Sequence, residues 1–519
     1  MLKLKGTIAI FSAAIITLNL SACGSSAKDD EALFLEFSST PSSLYQKEYP
    51  NDLHRFNQEL TTEFPVASTN YGDVIPFIGK YLTYKLTDKD GEHTITAPLY
   101  GFCYDQDGLV IIDPVYNNVE KIALDDGNHF YQLYVDSGVK NRSGKYIAVA
   151  SDGSWKIDLG KDSIYSGISG DGTIAFERTR VISKTKTNYY YDFYDFSGKK
   201  LFTFEPQQNK SDKETSQISN FSDGFAAVNE SRTAGKTTTY TAYYIDKKGE
   251  KKYKDKNFTF AGDFQKGYAI VADKDNLYGV IDTKGEYLLK PSFKNINYNA
   301  DLGLFACEGD DVYTIYNTKK EVVKTIFCKN SDLSVLGKDK KIIEKTSRVT
   351  NKSEFLFLEN EEPFIYSGTG QFPTEYLGNG LYLCDYSNIG YIFNENGESV
   401  VTCENFGGIV SFDSDYIVAH TKHKDKLIFI DVLAKKILNT VEAGFVDKVP
   451  NEGIYLLKSN NKFSIYNAVT GETVISDCDY AEILTSKNQC FIATVKDGFI
   501  DHYFTDFKRH FHFSDGGAK

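Results

Sequence analysis

The chain has 519 residues, of which 71 are acidic and 58 basic, and its formal net charge is −13. Nucleic acid and anionic lipid headgroups repel an acidic protein, so neither a nucleic-acid partner nor membrane attachment through a basic patch is expected. Aromatic residues make up 14% of the chain and Met1 is its one methionine, so we expect Phe and Tyr rings to fill the cores.

The amino terminus has the pattern of an export signal. Lys3 and Lys5 precede a mostly apolar run over residues 7–18, and Leu20-Ser21-Ala22-Cys23 follows directly. This arrangement resembles a bacterial lipoprotein signal. The resemblance implies that residues 1–22 are removed and that Cys23 carries diacylglycerol on its sulfur. The chain would then be held at the cell membrane, facing outside the cytoplasm, because several acyl chains anchor a protein durably.

Two alternatives to lipidation remain at this stage. The segment could be an ordinary cleaved signal peptide or an uncleaved transmembrane anchor, although its apolar run is short for a membrane span. Residues 23–70 are rich in small and polar residues, as in Gly24-Ser25-Ser26-Ala27 and Ser38-Ser39-Thr40-Pro41. Such composition cannot bury enough surface to order itself, so we predict a flexible tether with room for a short helix between Ser43 and Leu60.

From residue 71 onward the sequence predicts β-structure in repeated units. Three stretches share an aromatic or apolar entry residue, a glycine and a strand: Phe221–Ala226, Phe264–Ala269 and Leu377–Tyr382. The repeat glycines are Gly224, Gly267, Gly303, Gly380 and Gly453. Their separations are one or two multiples of about 36 to 43 residues, a period typical of propellers and related β-arrays.

The second half of each unit is a predicted hairpin. Tyr278-Gly279-Val280-Ile281 reads as a strand, and Asp282 is followed three positions later by Gly285. Asp bonds its own backbone and Gly accepts positive φ, so this spacing predicts a tight turn. Pro291 and Phe293 follow, and proline suits a strand end. The same Asp or Asn to Gly spacing occurs at Asp105/Gly108, Asp195/Gly198, Asp246/Gly249 and Asn394/Gly397.

These residues together resemble the WG repeat family of bacterial exported and envelope proteins. That family has an F-x-D-G-L/Y-A-x-V segment followed by W-G-x-I-D-x-x-G and then a proline and an aromatic residue. Residues 278–285 are the closest copy here, with Tyr278 in place of the tryptophan, and Tyr100-Gly101 begins a second copy. The only tryptophan, Trp155, lies outside the motif. The resemblance implies a β-propeller-like structure and no general activity.

We therefore predict an all-β fold, a propeller-like array of ~40-residue units with three to four strands each. The predicted divisions are the signal at 1–22, the tether at 23–70, N-terminal β-repeat units at 71–215 and a main propeller-like domain at 216–519. About 7–8 blades are expected in the main ring. The earlier units would either extend it or form a smaller β-domain, and an open superhelix or two small rings are alternatives.

The sequence predicts no catalytic residue, no metal site and no cofactor. Ala234-Gly235-Lys236-Thr237 has the end of a phosphate loop without its first glycine. The pairs His420/His423 and His510/His512 lack further ligands at metal spacing. Beyond Cys23 there are seven cysteines and no C-x-x-C pair, so we expect mostly free and buried thiols.

Three functions are compatible with this sequence. The first is a binding or scaffold module for a protein, a peptide or an envelope polymer. The second is a propeller hydrolase or lyase that acts on glycan or peptide at the central channel. The third is a structural envelope protein without a small ligand. Carboxylates or histidines that converge on the channel would favour the enzyme, and an apolar or aromatic patch on the loops would favour binding.

Overall fold

The structure is a computed structural model. It describes residues 74–514, apart from 89–90, 105–109, 117, 136–144, 152–153, 162, 184–185, 207–213, 337–341, 359–372, 414, 451–452, 487–488, 506 and 508–509. Cys23, the predicted signal and the predicted tether lie outside the described residues. Within them β-strands are the dominant regular structure, and the single helix is a 3-10 turn at Lys254–Lys256. The predicted all-β class is confirmed.

The described strands form eleven antiparallel sheets, numbered here along the chain, nine with four strands and two with three. Sheet 1 contains β1 (Val74–Asp88), β2 (Gly91–Tyr104) and β3 (Val110–Tyr116). Sheet 2 contains β4 (Asn118–Ala123), β5 (His129–Val135), β6 (Lys145–Ala150) and β7 (Lys156–Gly160). Sheet 3 contains β8 (Ser163–Gly170), β9 (Thr173–Ser183), β10 (Lys186–Asp195) and β11 (Lys200–Phe204).

Sheet 4 contains β12 (Glu214–Ile218), β13 (Phe225–Ala234), β14 (Thr237–Asp246) and β15 (Lys251–Lys252). Sheet 5 contains β16 (Phe260–Ala261), β17 (Tyr268–Ala272), β18 (Tyr278–Asp282) and β19 (Tyr287–Phe293). Sheet 6 contains β20 (Asn295–Asn299), β21 (Leu304–Glu308), β22 (Val312–Asn317) and β23 (Val322–Phe327). Sheet 7 contains β24 (Ser331–Leu336), β25 (Ile342–Ser347) and β26 (Ser353–Phe357).

Sheet 8 contains β27 (Glu375–Gly378), β28 (Leu381–Tyr386), β29 (Ile389–Asn394) and β30 (Ser399–Glu404). Sheet 9 contains β31 (Phe406–Phe412), β32 (Tyr416–Thr421), β33 (Leu427–Asp431) and β34 (Lys436–Val441). Sheet 10 contains β35 (Gly444–Lys448), β36 (Ile454–Ser459), β37 (Lys462–Asn467) and β38 (Glu472–Cys478). Sheet 11 contains β39 (Tyr480–Thr485), β40 (Cys490–Lys496), β41 (Phe499–Phe504) and β42 (His510–Ser514).

Every sheet is a meander, in which each strand pairs with the one that follows it in the chain. Successive strands therefore run in opposite directions, and the connections of sheets 2 to 11 fall at two opposite ends. The turn face holds the connections from first to second strand and from third to fourth, for example Asp223–Gly224 and Thr283–Gly285. The hairpin face holds those from second to third strand and from each sheet to the next, for example Arg348–Val349.

Burial follows the position of a strand within its sheet. The second strands are the most buried, as in β21, whose five residues are all buried, whereas the fourth strands are largely exposed. First strands contact strands of the preceding sheet, as β24 contacts β20 and β21, and β16 contacts β13 and β14. This is the arrangement of a propeller, in which the first strands lie nearest the axis and the fourth strands form the rim.

Hydrophobic clusters join each sheet to the next, so no sheet carries its core alone. One cluster joins sheets 4 and 5 around Tyr244, Phe264 and Val271, and another joins sheets 9 and 10 around Phe429 and Tyr455. Aromatic rings dominate these interfaces, as the composition predicted. Because every apolar face is covered by a neighbour, the units are stable only as an array.

The array is closed. The last sheet shares one hydrophobic cluster with sheets 1 and 2, in which Phe77, Tyr131 and Phe491 are all fully buried. Sheets 2 to 11 are thus ten blades of one propeller, and sheet 1 packs where the first and last blades meet. The predicted count of 7–8 blades is too low. The sequence motif is degraded in sheets 2 and 3, yet these two sheets pack against their neighbours through hydrophobic clusters like those of the other sheets.

Candidate binding face and closing contact

The repeat glycines begin the second strands of their sheets. Gly224, Gly267, Gly380 and Gly453 directly precede β13, β17, β28 and β36, and their φ angles are 87°, 89°, 73° and 70°. Before Gly224, Asp223 also has a positive φ of 50°, and Ser222 and Phe225 exchange both backbone hydrogen bonds. This is a two-residue type I′ hairpin, the turn whose twist matches that of the strands it joins.

The aspartate of this turn links one sheet to the next. Asp223 Oδ2 accepts a hydrogen bond of 2.7 Å from the Gly267 N–H, in the equivalent turn of sheet 5. Asp171 Oδ2 accepts one of 2.6 Å from the Gly224 N–H in the same way. The Asp171-Gly172 turn of sheet 3 is therefore a further copy of the motif. This copy is not among those predicted from the sequence, although its Asp-Gly dipeptide is a hairpin signal.

Gly279 is required by a close approach of the backbone. A Cβ at this position would lie 2.7 Å from the carbonyl oxygen of Leu289 and 2.8 Å from the nitrogen of Pro291. The register of β18 and β19 shifts on both sides of Val280, so β19 bulges toward Gly279. Tyr278, the residue in the tryptophan position of the WG motif, pairs with Phe293 at the end of this bulge.

Asp282 and Gly285 form the turn between third and fourth strands. Asp282 Oδ1 accepts hydrogen bonds of 2.9 Å from the backbone N–H groups of Lys284 and Glu286. Gly285 has a φ of +81°, and a Cβ there would lie 2.6 Å from the ring of Tyr253 in the preceding sheet. The spacing that predicts a turn therefore also fixes how two sheets pack.

Trp155 occupies the position in sheet 2 that Tyr253 occupies in sheet 4. A Cβ on Gly198 would lie 2.6 Å from Trp155, and the indole Nε1 donates a 2.8 Å hydrogen bond to the carbonyl of Phe196. Tyr253 likewise donates from its hydroxyl to the carbonyl of Thr283. On the turn face, the contacts of Asp171, Asp223, Trp155 and Tyr253 reach the next sheet, so these residues hold the blades together.

Large apolar side chains stand exposed on the connections of the hairpin face, as do Leu433 and Val469 on the turn face. In the consecutive sheets 6, 7 and 8, the exposed fractions are 83% for Phe327, 78% for Val349 and 51% for Tyr386. Val181, Tyr240 and Phe499 are exposed on the hairpins of sheets 3, 4 and 11. Where exposed apolar side chains adjoin one another on a surface, they mark an interaction site.

The connection that carries Val349 is held in place by charged hydrogen bonds. The neighbouring Arg348 donates from Nη2 to both carboxylate oxygens of Glu308 at 2.8 Å and to Asp332 at 2.6 Å. Its backbone N–H also bonds the carbonyl of Asn330, in the connection that follows Phe327. Sheets 6 and 7 therefore present Phe327 and Val349 from one fixed unit.

A second candidate lies at the closing contact between the ends of the ring. Glu482 is on β39, the first strand of sheet 11, and its Oε2 accepts hydrogen bonds from Tyr100 Oη at 2.6 Å and Tyr480 Oη at 2.9 Å. Tyr100 stands in the tryptophan position of the WG-like copy in sheet 1 and is only 4% exposed. No sequence pattern connects residues 382 positions apart, so sequence reasoning could not find this contact.

Burial shapes the electrostatics of this contact. It raises the pKa of Glu482 above its usual value, and the negative charge of Asp447 raises it further, whereas the two tyrosine hydroxyls act in the opposite direction. Burial also raises the pKa of Asp447. Lys121 lies on the other side of the closure, where its Nζ bonds Thr485 Oγ1 at 2.9 Å and the Ser486 carbonyl at 2.8 Å.

A buried histidine also bridges the closure. The Ile78 backbone N–H donates a 2.9 Å hydrogen bond to Nε2 of His502, which is fully buried. Burial lowers the pKa of His502 to about 3, so the ring is neutral at ordinary pH and its Nε2 can accept this bond.

The described residues contain no group of three or more His, Cys, Asp or Glu side chains arranged to hold a metal ion. His420 bonds the Thr421 carbonyl through Nδ1 at 3.0 Å. All seven cysteines beyond Cys23 are free and buried, as expected. Burial raises the pKa of Cys307 and Cys490 to about 12. These thiols therefore stay protonated at neutral pH and are poor nucleophiles.

No helix within the described part of the chain has the length and apolarity that a membrane span requires.

Comparison with known proteins finds likeness only among solved structures. No family model matches the chain, and no curated protein matches it. AztD from Citrobacter koseri in its apo form is 11% identical with a TM-score of 0.27, over 85% of this chain and 95% of that one. Dihydro-heme d1 dehydrogenase NirN is 12% identical with a TM-score of 0.31, over 84% and 82%.

A eukaryotic initiation factor is 11% identical with a TM-score of 0.33, over 57% of this chain and 78% of that one. These identities and TM-scores are too low to carry an argument about function. The propeller follows from the strand order and the shared clusters of this chain itself.

Proposed function

We propose that this protein is a lipid-anchored, extracytoplasmic binding propeller whose hairpin face holds a partner protein, peptide or envelope polymer. The observation that carries the proposal is the exposure of Phe327, Val349 and Tyr386 on three consecutive sheets. Exposed apolar side chains on a rigid frame gain free energy when a partner covers them, at roughly 25 cal/mol per Å² of buried apolar surface.

The geometry of the two faces supports this role. On the turn face, aspartates and glycines are engaged with neighbouring sheets. On the hairpin face, Arg348 fixes a connection while leaving Val349 in solvent. A side chain held in place before binding loses little conformational entropy when it binds, so such positions are favourable anchors.

Anchoring through Cys23 is part of the proposal and rests on the lipoprotein-like pattern at the amino terminus. Replacement of Cys23 by Ala should move the protein from the membrane to the soluble fraction. Metabolic labelling with a radioactive fatty acid should label the native chain and leave Cys23→Ala unlabelled. Retention of Cys23→Ala on membranes after a carbonate wash would refute the anchor without affecting the binding face.

The binding role is tested by recovering partners from detergent-solubilised membranes with the full-length protein. We expect a stoichiometric companion with the native chain and its loss with the triple variant Phe327→Ser/Val349→Ser/Tyr386→Ser. A matched control is Leu433→Ser/Val469→Ser, which removes exposed apolar side chains from the turn face. Equal recovery with both variants, or no companion at all, would contradict the proposal.

The closing contact favours a second candidate, a hydrolase or lyase acting on glycan or peptide. Glu482 lies on a first strand near the axis, beside Asp447, and two tyrosines donate to it. A carboxyl with a raised pKa can act as a general acid or base near neutral pH. Turnover of a glycan or peptide library by the native protein, abolished in Glu482→Gln and in Asp447→Asn, would establish it.

A further inference from the structure

Sheet 4 has an outer edge that its own chain leaves unfinished. Its third strand, β14, runs from Thr237 to Asp246, but the fourth strand, β15, covers only Tyr244 and Ile245. A single bridge from Phe258 to Ala242 extends the cover by one position. Beyond Ala242 no described residue pairs with the outer side of β14.

The direction of the uncovered backbone groups follows from that bridge. The Ala242 N–H donates a 2.8 Å hydrogen bond outward to the carbonyl of Phe258. Backbone groups alternate in direction along a strand, so the N–H and C=O groups of Tyr240 and Thr238 face the same outer edge. The N–H and C=O groups of Thr237, Thr239 and Thr241 face inward to β13. This agrees with the two-residue loop between Ala234 and Thr237, because the residues that flank such a loop are a hydrogen-bonded pair.

β16 of sheet 5 lies close to β14, but the side chains along this edge are exposed. All five residues of the segment from Thr237 to Thr241 are exposed, and Tyr240 is 58% exposed. The other side of the hairpin is occupied, because β12 pairs with residues 228–232 of β13. Along the segment from Thr237 to Thr241, sheet 4 therefore has three strands and one open edge. Most of the other sheets have a complete fourth strand there.

The open edge lacks the bulges that interrupt the rim ladders of seven other sheets, whereas the rim ladders of sheets 7 and 11 are also regular. In sheets 2, 3, 5, 6, 8, 9 and 10, the register between third and fourth strands is broken by a bulge. The ladder between β13 and β14 runs over ten pairs without a shift. Regular, unbulged edges rich in β-branched residues are templates for pairing with another strand.

Charge indicates the kind of strand that fits. Lys236 lies in the hairpin turn at one end of the edge. Lys254 and Lys256, with Asp255 between them, lie in the 3-10 turn just before Phe258 at the other. This local excess of lysine stands out in a chain with a net charge of −13. A segment with acidic residues at its ends would meet complementary charge.

We propose that the outer edge of β14, from Thr237 to Thr241, takes an extended acidic segment of a partner polypeptide as an added β-strand. Main-chain hydrogen bonds to Thr238 and Tyr240 hold it, and it completes the fourth strand of sheet 4. The inference rests on the proposed binding function, for which it names a mode of recognition. A second copy of this chain fits less well, because a five-residue edge buries too little surface for a stable dimer.

The test uses full-length protein in detergent and a displayed library of random linear heptapeptides. We expect selected peptides rich in Asp, Glu and β-branched residues. Thr238→Pro should weaken their binding at least tenfold, because proline removes the outward N–H while leaving the inward ladder of β14 intact. The matched control Thr238→Ala keeps that N–H and should change the dissociation constant less than about twofold.

Amide hydrogen exchange tests the same edge without a substitution. In the free protein, the amides of Thr238 and Tyr240 should exchange fast and that of Thr239 slowly, and a selected peptide should protect the first two. Protection of Thr238 and Tyr240 in the free protein would overturn the proposal. Selection of no peptide, or of peptides that bind Thr238→Pro as they bind the native chain, would also overturn it.

Two results separate this inference from the proposed function. A partner lost by the Phe327, Val349 and Tyr386 triple variant but retained by Thr238→Pro would leave the binding face standing and reject the added strand. Selection of a peptide whose binding depends on Thr238, together with no companion recovered from membranes, would support the added strand and reject the binding face.

Discussion

The turn face and the hairpin face use the same strands but place different demands on the residues that connect them. On the turn face, one residue serves two purposes, as Gly285 both allows a tight turn and makes room for Tyr253 of the preceding sheet. On the hairpin face, Gly235 also has a positive φ, of 64°, but a Cβ there would touch nothing within 4 Å. At these two positions, the turn face packs one sheet against the next, whereas the hairpin at Gly235 contributes no contact between sheets.

Removal of Trp155 should have the largest effect on stability. Trp155→Ala empties the space between sheets 2 and 3 and leaves the Phe196 carbonyl without its donor. We expect a loss of about 3–5 kcal/mol in the free energy of unfolding, measured by guanidinium denaturation. Trp155→Phe keeps a ring and should lose less. A loss below about 1 kcal/mol for Trp155→Ala would mean that the turn face does not hold the sheets together.

The paired substitutions Gly285→Ala and Gly235→Ala compare the two faces directly. Both place a Cβ on a residue with positive φ, which costs about 1 kcal/mol or somewhat more. Only Gly285→Ala also forces a contact with a packed ring, so its total loss should reach about 2–4 kcal/mol. The same denaturation experiment measures both. Equal losses would remove the distinction between the faces.

The closing contact should make stability depend on pH through Glu482. Its folded-state pKa is raised, so the protonated form stabilises the fold at low pH and this contribution is lost as pH rises through the folded pKa. Glu482→Gln keeps an acceptor for Tyr100 and Tyr480 without the charge. The Tm of Glu482→Gln relative to the native chain should therefore increase from pH 4 to pH 7.

The control for this pH series is Glu472→Gln, on the exposed start of β38. Its Tm difference from the native chain should stay constant over the same range. If the difference for Glu482→Gln stays constant as well, the carboxyl is not desolvated in the folded protein and its role at the closing contact is wrong.

The smallest effect is expected on the hairpin face. Val349→Ser removes a side chain that is 78% exposed and should change the free energy of unfolding by less than about 0.5 kcal/mol. Arg348→Ser should cost more, because Glu308 would keep a largely buried charge without its partner. If Val349→Ser destabilised the protein as strongly as Gly285→Ala, the side chain would belong to the core rather than to a binding face.

The sequence predicted the local geometry of the repeat more completely than its assembly. The Asp282 to Gly285 spacing predicted a turn, and the structure has that turn, because an Asx-type hydrogen bond and a positive φ involve residues only a few positions apart. The Gly279 contact with Leu289 was beyond prediction, because it depends on the bulge in the following strand.

The number of blades and the closing contact were harder to predict for a related reason. Tyr100 and Glu482 meet only after every intervening sheet has added its twist and rotation, and no local pattern records that sum. Sheets 2 and 3 lie in residues 71–215, whose units were expected either to extend the main ring or to form a smaller domain, so the predicted count of 7–8 blades left them out. The exposure of Phe327 and Val349 could not be predicted for a different reason. A sequence does not show which apolar side chains the fold leaves in contact with solvent.

The hydrogen bonds from turn to turn also bear on how such a ring could change size. Asp171 and Asp223 accept from Gly224 and Gly267 in the same geometry, so the partners are interchangeable. Excision of one unit by recombination between gene repeats would bring Asp171 opposite Gly267, which offers the same N–H as Gly224. The junctions are chemically equivalent, so units could be gained or lost at these sheets while every turn aspartate keeps a donor.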